Sequence, residues 1–203
     1  MPQPSISPAE GRPDPVYEEL CKLLPSVTAD ELVGLGPRLA AWIPELQPML
    51  GFDQCSPHHA YDLFRHTAYV VEHVPADLTL RWAALLHDTG KVPTFTRDAT
   101  GRGHFYGHAR ESARMAEEIL RRLQAPEALR QRVVTLIELH MTKIQPDEAH
   151  VQPLLDRLGM EALDQLLTLQ EADMASKGVD EPNDFSQFPR IRAAALAFLK
   201  HNP

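Results

Sequence analysis

The chain has 203 residues, of which 43% are hydrophobic and 24% are charged, and this length and balance predict one globular domain with a well-filled core. The formal net charge of −8 argues against a protein that binds long nucleic acid through a broad basic surface, because such binding places Lys and Arg at the phosphates. Small phosphorylated ligands whose charge is neutralised by a metal remain compatible with this acidity.

The sequence carries no pattern of a membrane span or of a secretory leader. No apolar run approaches the roughly 18 residues that a membrane span needs, and the N-terminus lacks a charged region followed by a hydrophobic one. Cys21 and Cys55 lack CxxC spacing, so neither a disulfide framework nor a zinc ribbon is indicated. We therefore expect a cytoplasmic protein that makes no membrane contact.

The first 15 residues contain five prolines. Because proline lacks the amide proton and fixes φ, we expect residues 1–15 to be a flexible tail without regular structure. From Val16 onward the pattern turns helical. We expect residues 16–203 to form a single helical domain whose core covers about residues 43–178.

Apolar residues at helical spacing follow one another along most of the chain. Thr28 and Glu31 have the spacing of a capping box, and the glycines and proline of residues 34–37 break that first segment into short pieces. Further helices are predicted from apolar residues three, four or seven apart: Leu63, Val70 and Val74; Leu80, Ala83 and Ala84; Met115, Ile119 and Leu123; Leu129, Val133, Ile137 and Ile144; Leu154, Leu155 and Leu158, ended by Gly159; Leu163, Leu166, Leu167 and Gln170; and residues 191–199. No sustained alternation predicts strands, so we expect an all-α, compact helical bundle.

One of these helices should lie at the centre of the bundle. Residues 82–86 are apolar without interruption, so every side of that helix is apolar, and it ends at His87 and Asp88. An imidazole and a carboxylate at the tip of a buried helix cost several kcal/mol unless they are hydrogen-bonded or bind a metal. Something must therefore compensate this pair.

The same feature recurs on four other predicted helices. Each carries one histidine or aspartate on the face that its apolar residues define: His66, His108, His140 and Asp173. A lone histidine on an apolar face is usually a satisfied core residue. Five helices that each direct such a group inward favour a metal site instead.

The order of these groups resembles a known signature. His66-Thr67, then His87-Asp88-Thr89-Gly90-Lys91, then a distant Asp173, resemble the H…HD…D signature of the HD superfamily of metal-dependent phosphohydrolases. At Thr89 the superfamily usually has an apolar residue, and we expect this difference to alter packing behind the site without removing it.

The sequence is closer still to the HD domain of bacterial tRNA nucleotidyltransferases, the CCA-adding enzymes, over about residues 43–177. Those enzymes carry a nucleotidyltransferase head with a Gly-Gly or Gly-Ser turn and an Asp-x-Asp motif, and this sequence has neither pattern, so CCA addition is not expected. The residues that carry the likeness are residues 43–46, Gln54, His59-Ala60-Tyr61-Asp62, His66-Thr67, residues 81–91, residues 103–108 and His140.

The resemblance implies a divalent metal site. Mixed nitrogen and oxygen donors favour Mn, Fe, Ni or Co, with Mg as an alternative. His108 and His140 either complete a second metal site that Asp88 bridges or contact the phosphate beside a single metal, so one or two ions are expected. The implied ligands of the first site are His66, His87, Asp88 and Asp173.

Other residues are candidates for contact with substrate. Lys91 follows Asp88 by one helical turn, so its ammonium should lie near the metal, although a solvated lysine at a helix end fits the same spacing. His59 lies two turns before His66, and His104 follows a Gly-rich loop, whereas His108 on the apolar face is the better ligand. All three of Lys91, His59 and His104 are expected to contact substrate.

The polar stretch from Thr94 to Arg102 is predicted to be a loop, either one at the mouth of the site that supplies Arg97 or Arg102 to a phosphate, or a plain solvated loop.

The implied reaction is hydrolysis of a phosphate ester, in which a water activated by the metal attacks phosphorus in line. Asp88 and Lys91 would be the catalytic residues, with Lys91 stabilising charge on the phosphoryl oxygens. The resemblance implies small nucleotide substrates or RNA 3′ ends, such as 2′,3′-cyclic phosphates and nucleoside monophosphates. The alternative is a non-catalytic nucleotide- or tRNA-binding module that works with a separate nucleotidyltransferase. The oligomeric state of the protein is left open in either case.

Overall fold

The computed structural model describes residues 13–56, 60–178 and 184–201, and this part of the chain is built almost entirely from helices. The all-α prediction is confirmed. None of the described helices is long and apolar enough to cross a membrane. The helices are α1 (Pro15–Leu23), α2 (Ala29–Gly34), α3 (Gly36–Trp42), a 3₁₀ helix (Pro44–Met49), α4 (Leu63–His73), α5 (Leu78–Leu86), α6 (Lys91–Thr94), α7 (His108–Arg122), α8 (Glu127–Leu139), α9 (Glu148–Ala175) and α10 (Gln187–His201).

The first helix begins earlier than the proline pattern predicts. The proline pattern places Pro15 in the tail, but Pro15 is the first residue of α1, where the missing amide proton is no loss and the fixed φ suits a helix. The Asp14 carboxylate accepts a hydrogen bond from the Val16 amide at 2.7 Å, and the Asp14 amide donates to the Leu123 carbonyl at 3.2 Å. The chain is therefore anchored from Asp14 onward. Residues 1–12 lie outside the described residues, and the flexible tail stays a prediction there.

The capping box is confirmed. The Glu31 amide donates to the Thr28 hydroxyl at 3.3 Å, and the Thr28 amide donates to the Glu31 carboxylate at 2.9 Å. Helix α2 ends at Gly34 and α3 begins at Gly36, as the breakers predict.

Helix α5 lies at the centre of the bundle, as its continuous apolar sequence predicts. Seven of its nine residues are buried, and it contacts α4, α7, α8 and α9. Trp82 is fully buried and stacks against Tyr17 of α1, with ring centroids 5.7 Å apart. Burial of side chains this large contributes about 1.5–3 kcal/mol each, so α5 is firmly held where it ends at His87.

Two predicted helix limits need correction. Ile144 was placed on the same helix as Val133, but α8 ends at Leu139 and Ile144 is buried in the loop that follows. In α9 the backbone at Gly159 has φ 74° and interrupts the helical conformation, so this long element is the two predicted helices joined at a kink. A left-handed residue of this kind favours glycine.

The polar stretch from Thr94 to Arg102, which the sequence predicts to be a loop, contains a short β-hairpin. Strand β1 (Thr96–Arg97) pairs antiparallel with β2 (Gly103–His104). Between them the Asp98 carboxylate accepts hydrogen bonds from the amides of Thr100 at 2.9 Å and Arg102 at 3.1 Å. The hairpin is therefore fixed by its turn, and two-residue strands are too short to give a sequence signal.

Candidate metal centre

The ends of five helices bring the six predicted ligands to one place in the interior. Asp88 is the centre of the group, and it follows α5 directly. The others come from α4, from the C-cap of α5, from the first residue of α7, from the C-cap of α8 and from the last turn of α9: His66, His87, His108, His140 and Asp173. The structure thus places together all the residues that the sequence proposes as ligands.

One side of the cluster contains two histidines and two carboxylates. The Nε2 atoms of His66 and His87 lie 3.5 Å and 3.2 Å from Asp88 Oδ2. The same two nitrogens lie 3.0 Å and 3.9 Å from Asp173 Oδ1. Donor atoms of His66, His87 and Asp88 all lie within 4.8 Å of one another, close enough to bind one ion.

The opposite side uses the other oxygen of Asp88. His108 Nε2 lies 3.5 Å and His140 Nε2 lies 3.9 Å from Asp88 Oδ1. Donor atoms of Asp88, His108 and His140 also lie within 4.8 Å of one another. The two oxygens of one carboxylate therefore face two separate groups of histidines.

All four imidazoles are oriented in the same way. The Nδ1 atoms of His66, His87, His108 and His140 contact backbone carbonyls at 3.1, 2.8, 2.8 and 2.6 Å. A carbonyl can only accept, so each Nδ1 carries the proton. In the neutral ring the lone pair is then on Nε2, which points at Asp88, and this arrangement is typical of histidines that bind a metal.

The cluster also contains buried polar atoms that lack a hydrogen bond. Among the described residues, His108 Nε2, His140 Nε2 and Asp88 Oδ1 are buried and have no hydrogen-bond partner. Leaving such atoms unsatisfied costs about 1–3 kcal/mol each. A divalent cation between them would satisfy all three, so the residues fit a metal.

The charged groups of the cluster shift one another's pKa values. Burial and the charge of His87 lower the pKa of His140 to about 4, and burial lowers the pKa of His108. Burial opposes the charged form of His87 too, but the Asp88 carboxylate outweighs it and raises the pKa of His87. Burial would raise the pKa of Asp88, yet the His87 and Lys91 cations hold it well below its usual range. His108 and His140 are accordingly neutral, the state that binds metals.

Lys91 belongs to the same charged group. Its ammonium lies 2.7 Å from Asp88 Oδ2 and donates to Gln54 Oε1 at 3.0 Å. The residue is 6% exposed, so the alternative of a solvated lysine at a helix end is wrong. Its predicted catalytic role stays a prediction, with the ammonium in position beside the cluster.

A cavity of about 280 Å³ opens onto the cluster. Asp88, Lys91 and His108 line it, and His104 lies at its rim, where Nε2 donates to the Asp98 carboxylate at 2.8 Å. The structure thus brings His108, and not His104, to Asp88. His59 falls outside the described residues, so its contact with substrate stays a prediction.

The two arginines proposed for phosphate binding differ in position. Arg102 lines the cavity. Arg97 instead donates to Cys55 Sγ at 2.7 Å and lies over the Phe95 ring, with its guanidinium carbon 5.7 Å from the ring centroid. Of the pair, the structure places only Arg102 at the site.

Several cavity residues were missed from the sequence. Lys177 also lines the cavity, and its place four residues after Asp173 was a usable signal. Tyr106 and Met141 lie on the rim as well, where the sequence gives no helical spacing to reveal them.

Comparison with known proteins matches residues 58–173, more than half of the chain, to the HD domain family. The chain belongs to the HD domain family. Residues 66, 87, 88 and 173 of the predicted signature all fall within the matched range.

Several curated proteins are similar in sequence to this chain. An A-adding tRNA nucleotidyltransferase of Deinococcus radiodurans is 36% identical over 202 aligned residues, which cover 93% of this chain and 45% of the relative. A Multifunctional CCA protein of Cupriavidus taiwanensis is 31% identical over 91% of this chain and 47% of the relative. A Multifunctional CCA protein of Azoarcus sp. is 39% identical over 50% of this chain and 25% of the relative. This chain thus spans less than half the length of these relatives. The predicted resemblance to the HD region of CCA-adding enzymes is confirmed.

Proposed function

We propose that this HD domain is a divalent-metal-dependent phosphohydrolase that acts on phosphate esters of nucleotides, such as 2′,3′-cyclic phosphates and nucleoside monophosphates. One observation carries the proposal: the buried Asp88 carboxylate lies between two groups of histidines at the base of an open cavity. A structural core would have no reason to aim the Nε2 atoms of four histidines at one carboxylate.

The ligands divide into two sets, and a transition metal suits their mixed donors better than Mg. When bound, the metal supplies Lewis acidity and a reactive water. The backbone carbonyls that accept from Nδ1 keep each ring in the correct tautomer and orientation. Asp88 shares its two oxygens between the sets, which fixes the spacing of the ligands on either side.

The charged groups at the cavity are arranged to hold a phosphate. Lys91 holds its ammonium against Asp88 and Gln54 and can stabilise charge on a phosphoryl oxygen. Arg102 and Lys177 line the same cavity and add positive charge around the ligand. His104 at the rim is proposed to contact the substrate, as the sequence predicts.

The test is a hydrolysis assay on 2′,3′-cyclic nucleotides and nucleoside monophosphates, with Mn, Ni or Co supplied to chelator-treated protein. We expect metal-dependent turnover in the wild type and none in Asp88→Asn, because the shared carboxylate loses its charge. Asp164→Asn is the matched control, because Asp164 is a surface carboxylate that pairs with Arg192. Loaded wild-type protein that hydrolyses none of these esters would contradict the proposal.

A second function is favoured by the comparisons. The relatives named as tRNA nucleotidyltransferases are longer proteins, and this chain matches less than half of them. A non-catalytic module that binds nucleotides or tRNA beside a separate nucleotidyltransferase would fit that match. It predicts a metal-loaded protein that binds nucleotides in a calorimetric titration but gives no turnover in the hydrolysis assay.

A further inference from the structure

The rim of the metal cavity carries the most exposed large apolar side chains in the described part of the chain. Tyr106 is 77% exposed and Met141 is 56% exposed, and both line the cavity that contains Asp88. Single exposed apolar side chains are ordinary on protein surfaces. Two that share one rim, directly beside a cluster of metal-ligating groups, indicate a surface that a ligand covers.

Tyr106 is held in a defined position although it is exposed. Its ring stacks on His104 with centroids 5.3 Å apart and an interplanar angle of 5°. His104 Nε2 donates to the Asp98 carboxylate at 2.8 Å, which leaves Nδ1 to accept from the Tyr106 hydroxyl at 3.4 Å. His104 lies against one face of the ring, and because Tyr106 is largely exposed, most of the ring stays open to solvent at the cavity that it lines.

The support for this stack comes from the β-hairpin. The same Asp98 carboxylate accepts hydrogen bonds from the Thr100 hydroxyl at 2.6 Å and from the Arg102 amide at 3.1 Å. The turn, the imidazole and the phenol are therefore linked in one chain of contacts. An aromatic ring fixed before the ligand arrives loses little conformational entropy on binding, which favours its use as a stacking surface.

The chemistry around the ring identifies the ligand that fits. Lys91, Arg102 and Lys177 line the cavity and suit a phosphate, whereas the flat open face of Tyr106 suits an aromatic group. A ligand with both parts is a nucleotide. We propose that Tyr106, supported by His104, is the platform on which the base of a nucleotide substrate stacks, with Met141 as a second apolar contact on the rim.

This inference rests on the proposed function, because it places the base of the same substrate whose phosphate lies at the metal cluster. It goes further in that it names the residue that contacts the base and so selects nucleotides over sugar phosphates. A second place for the base is a neighbouring cavity of about 380 Å³, which Met141 and Gln170 line together with Phe188 of α10. A base in that cavity would contact Met141 and not Tyr106.

The test measures binding to the metal-loaded chain by calorimetry, so it does not depend on turnover. The probes are a nonhydrolysable phosphonate analogue of AMP and the corresponding phosphonate of ribose. We expect the wild type to prefer the nucleotide about tenfold, as one base–aromatic stack provides. Tyr106→Ala should remove most of this preference, and Tyr106→Phe should keep it because the ring remains.

Leu196→Ala is the matched control, because Leu196 is 50% exposed on α10 and does not line the cavity. Equal binding of the two probes by the wild type would overturn the platform. So would a preference that survives Tyr106→Ala and is lost in Met141→Ala, since the base would then lie in the neighbouring cavity. A loaded protein that prefers the nucleotide through Tyr106 but hydrolyses no ester would refute the phosphohydrolase and leave the platform standing.

Both free nucleotides and RNA 3′ ends offer this chemistry. A short oligoribonucleotide that ends in the same phosphonate separates the two sources. Tighter binding of the oligonucleotide assigns the platform to RNA ends, and tighter binding of the mononucleotide assigns it to free nucleotides.

Discussion

Gly90 is the position where one added methyl group should disturb the metal site without touching a ligand side chain. A Cβ on Gly90 would lie 2.5 Å from the Ser112 amide nitrogen and 2.6 Å from the His108 carbonyl oxygen. Both atoms belong to the backbone of α7, which cannot move aside alone. The Gly90 amide also donates to the Ser112 hydroxyl at 2.8 Å, so the two segments pack closely here.

The size of the effect follows from these distances. Ordinary van der Waals contact is about 3.5 Å, so Gly90→Ala requires α7 to shift by roughly 1 Å. Overpacking of this kind costs about 1–3 kcal/mol and should lower Tm by about 3–10 °C in a chain of this size. Because His108 is the first residue of α7, its Nε2 should move away from Asp88 Oδ1, now 3.5 Å distant. Ligands held more than about 0.5 Å from their position bind metal poorly.

The assay combines thermal unfolding with metal analysis of the same samples. Gly90→Ala should lower Tm and reduce binding on the His108 side, while binding at His66 and His87 persists. Gly34→Ala is the matched control, because a Cβ there meets no atom within 4 Å. A Gly90→Ala variant with wild-type Tm and metal content would refute the argument that close packing of α7 positions His108.

Three further predictions concern the cluster, and a fourth concerns the size of the substrate. Asp173→Asn should abolish hydrolysis with little loss of helical signal by circular dichroism, because the substitution keeps the shape of the side chain and deletes its charge. Asp164→Asn on the same helix is the control. Normal turnover in Asp173→Asn would show that Asp173 is not part of the site. Lys91→Gln should lower kcat about a hundredfold and retain the metal, and an unchanged kcat would show that the ammonium does not reach the reacting phosphate. Metal affinity should rise as the pH increases through the pKa of His87, because binding must displace the proton on that ring. Burial lowers the pKa of His87, but the Asp88 carboxylate outweighs burial and raises the pKa above its ordinary value of 6.5. An affinity that does not change with pH would contradict this prediction. Mononucleotides and 2′,3′-cyclic nucleotides should have a higher kcat/KM than the same terminal group on tRNA at equal ionic strength, because a chain with a net charge of −8 attracts a polyanion weakly. A preference for tRNA would indicate a local basic groove and favour the tRNA-binding module.

The ligand positions could be proposed from the sequence because helical periodicity fixes which face of a helix turns inward. His66 shares a face with Leu63 and Val70, and all three are buried. His87 follows an uninterrupted apolar helix, which could only lie in the centre. The same reasoning chose His108 over His104, and the structure brings His108 to Asp88.

Features that depend on contacts between distant segments could not be predicted in this way. The division of Asp88 between two groups of histidines requires three other helices to converge, and periodicity does not specify their order around it. The hairpin that supports Tyr106 is fixed by the Asp98 turn, not by strand propensity. Pro15 was misassigned because proline in a tail and proline at the start of a helix have the same composition signal.

The most direct test of the central claim, that the cluster around Asp88 is a metal site, is a calorimetric titration of Mn, Ni or Co into chelator-treated protein. We predict at least one tightly bound ion per chain in the wild type and none in Asp88→Ala, because Asp88 belongs to both groups of ligands. His87→Ala should lose the ion held on the His66 side. If both half-sites bind, His108→Ala and His140→Ala should each lower the content from about two towards one. Full wild-type metal content in both variants would indicate a single bound ion, and His108 and His140 would then be contacts for the phosphate. A wild-type protein that binds none of the three metals, although His66, His87 and Asp88 hold their donor atoms within 4.8 Å, would contradict the account.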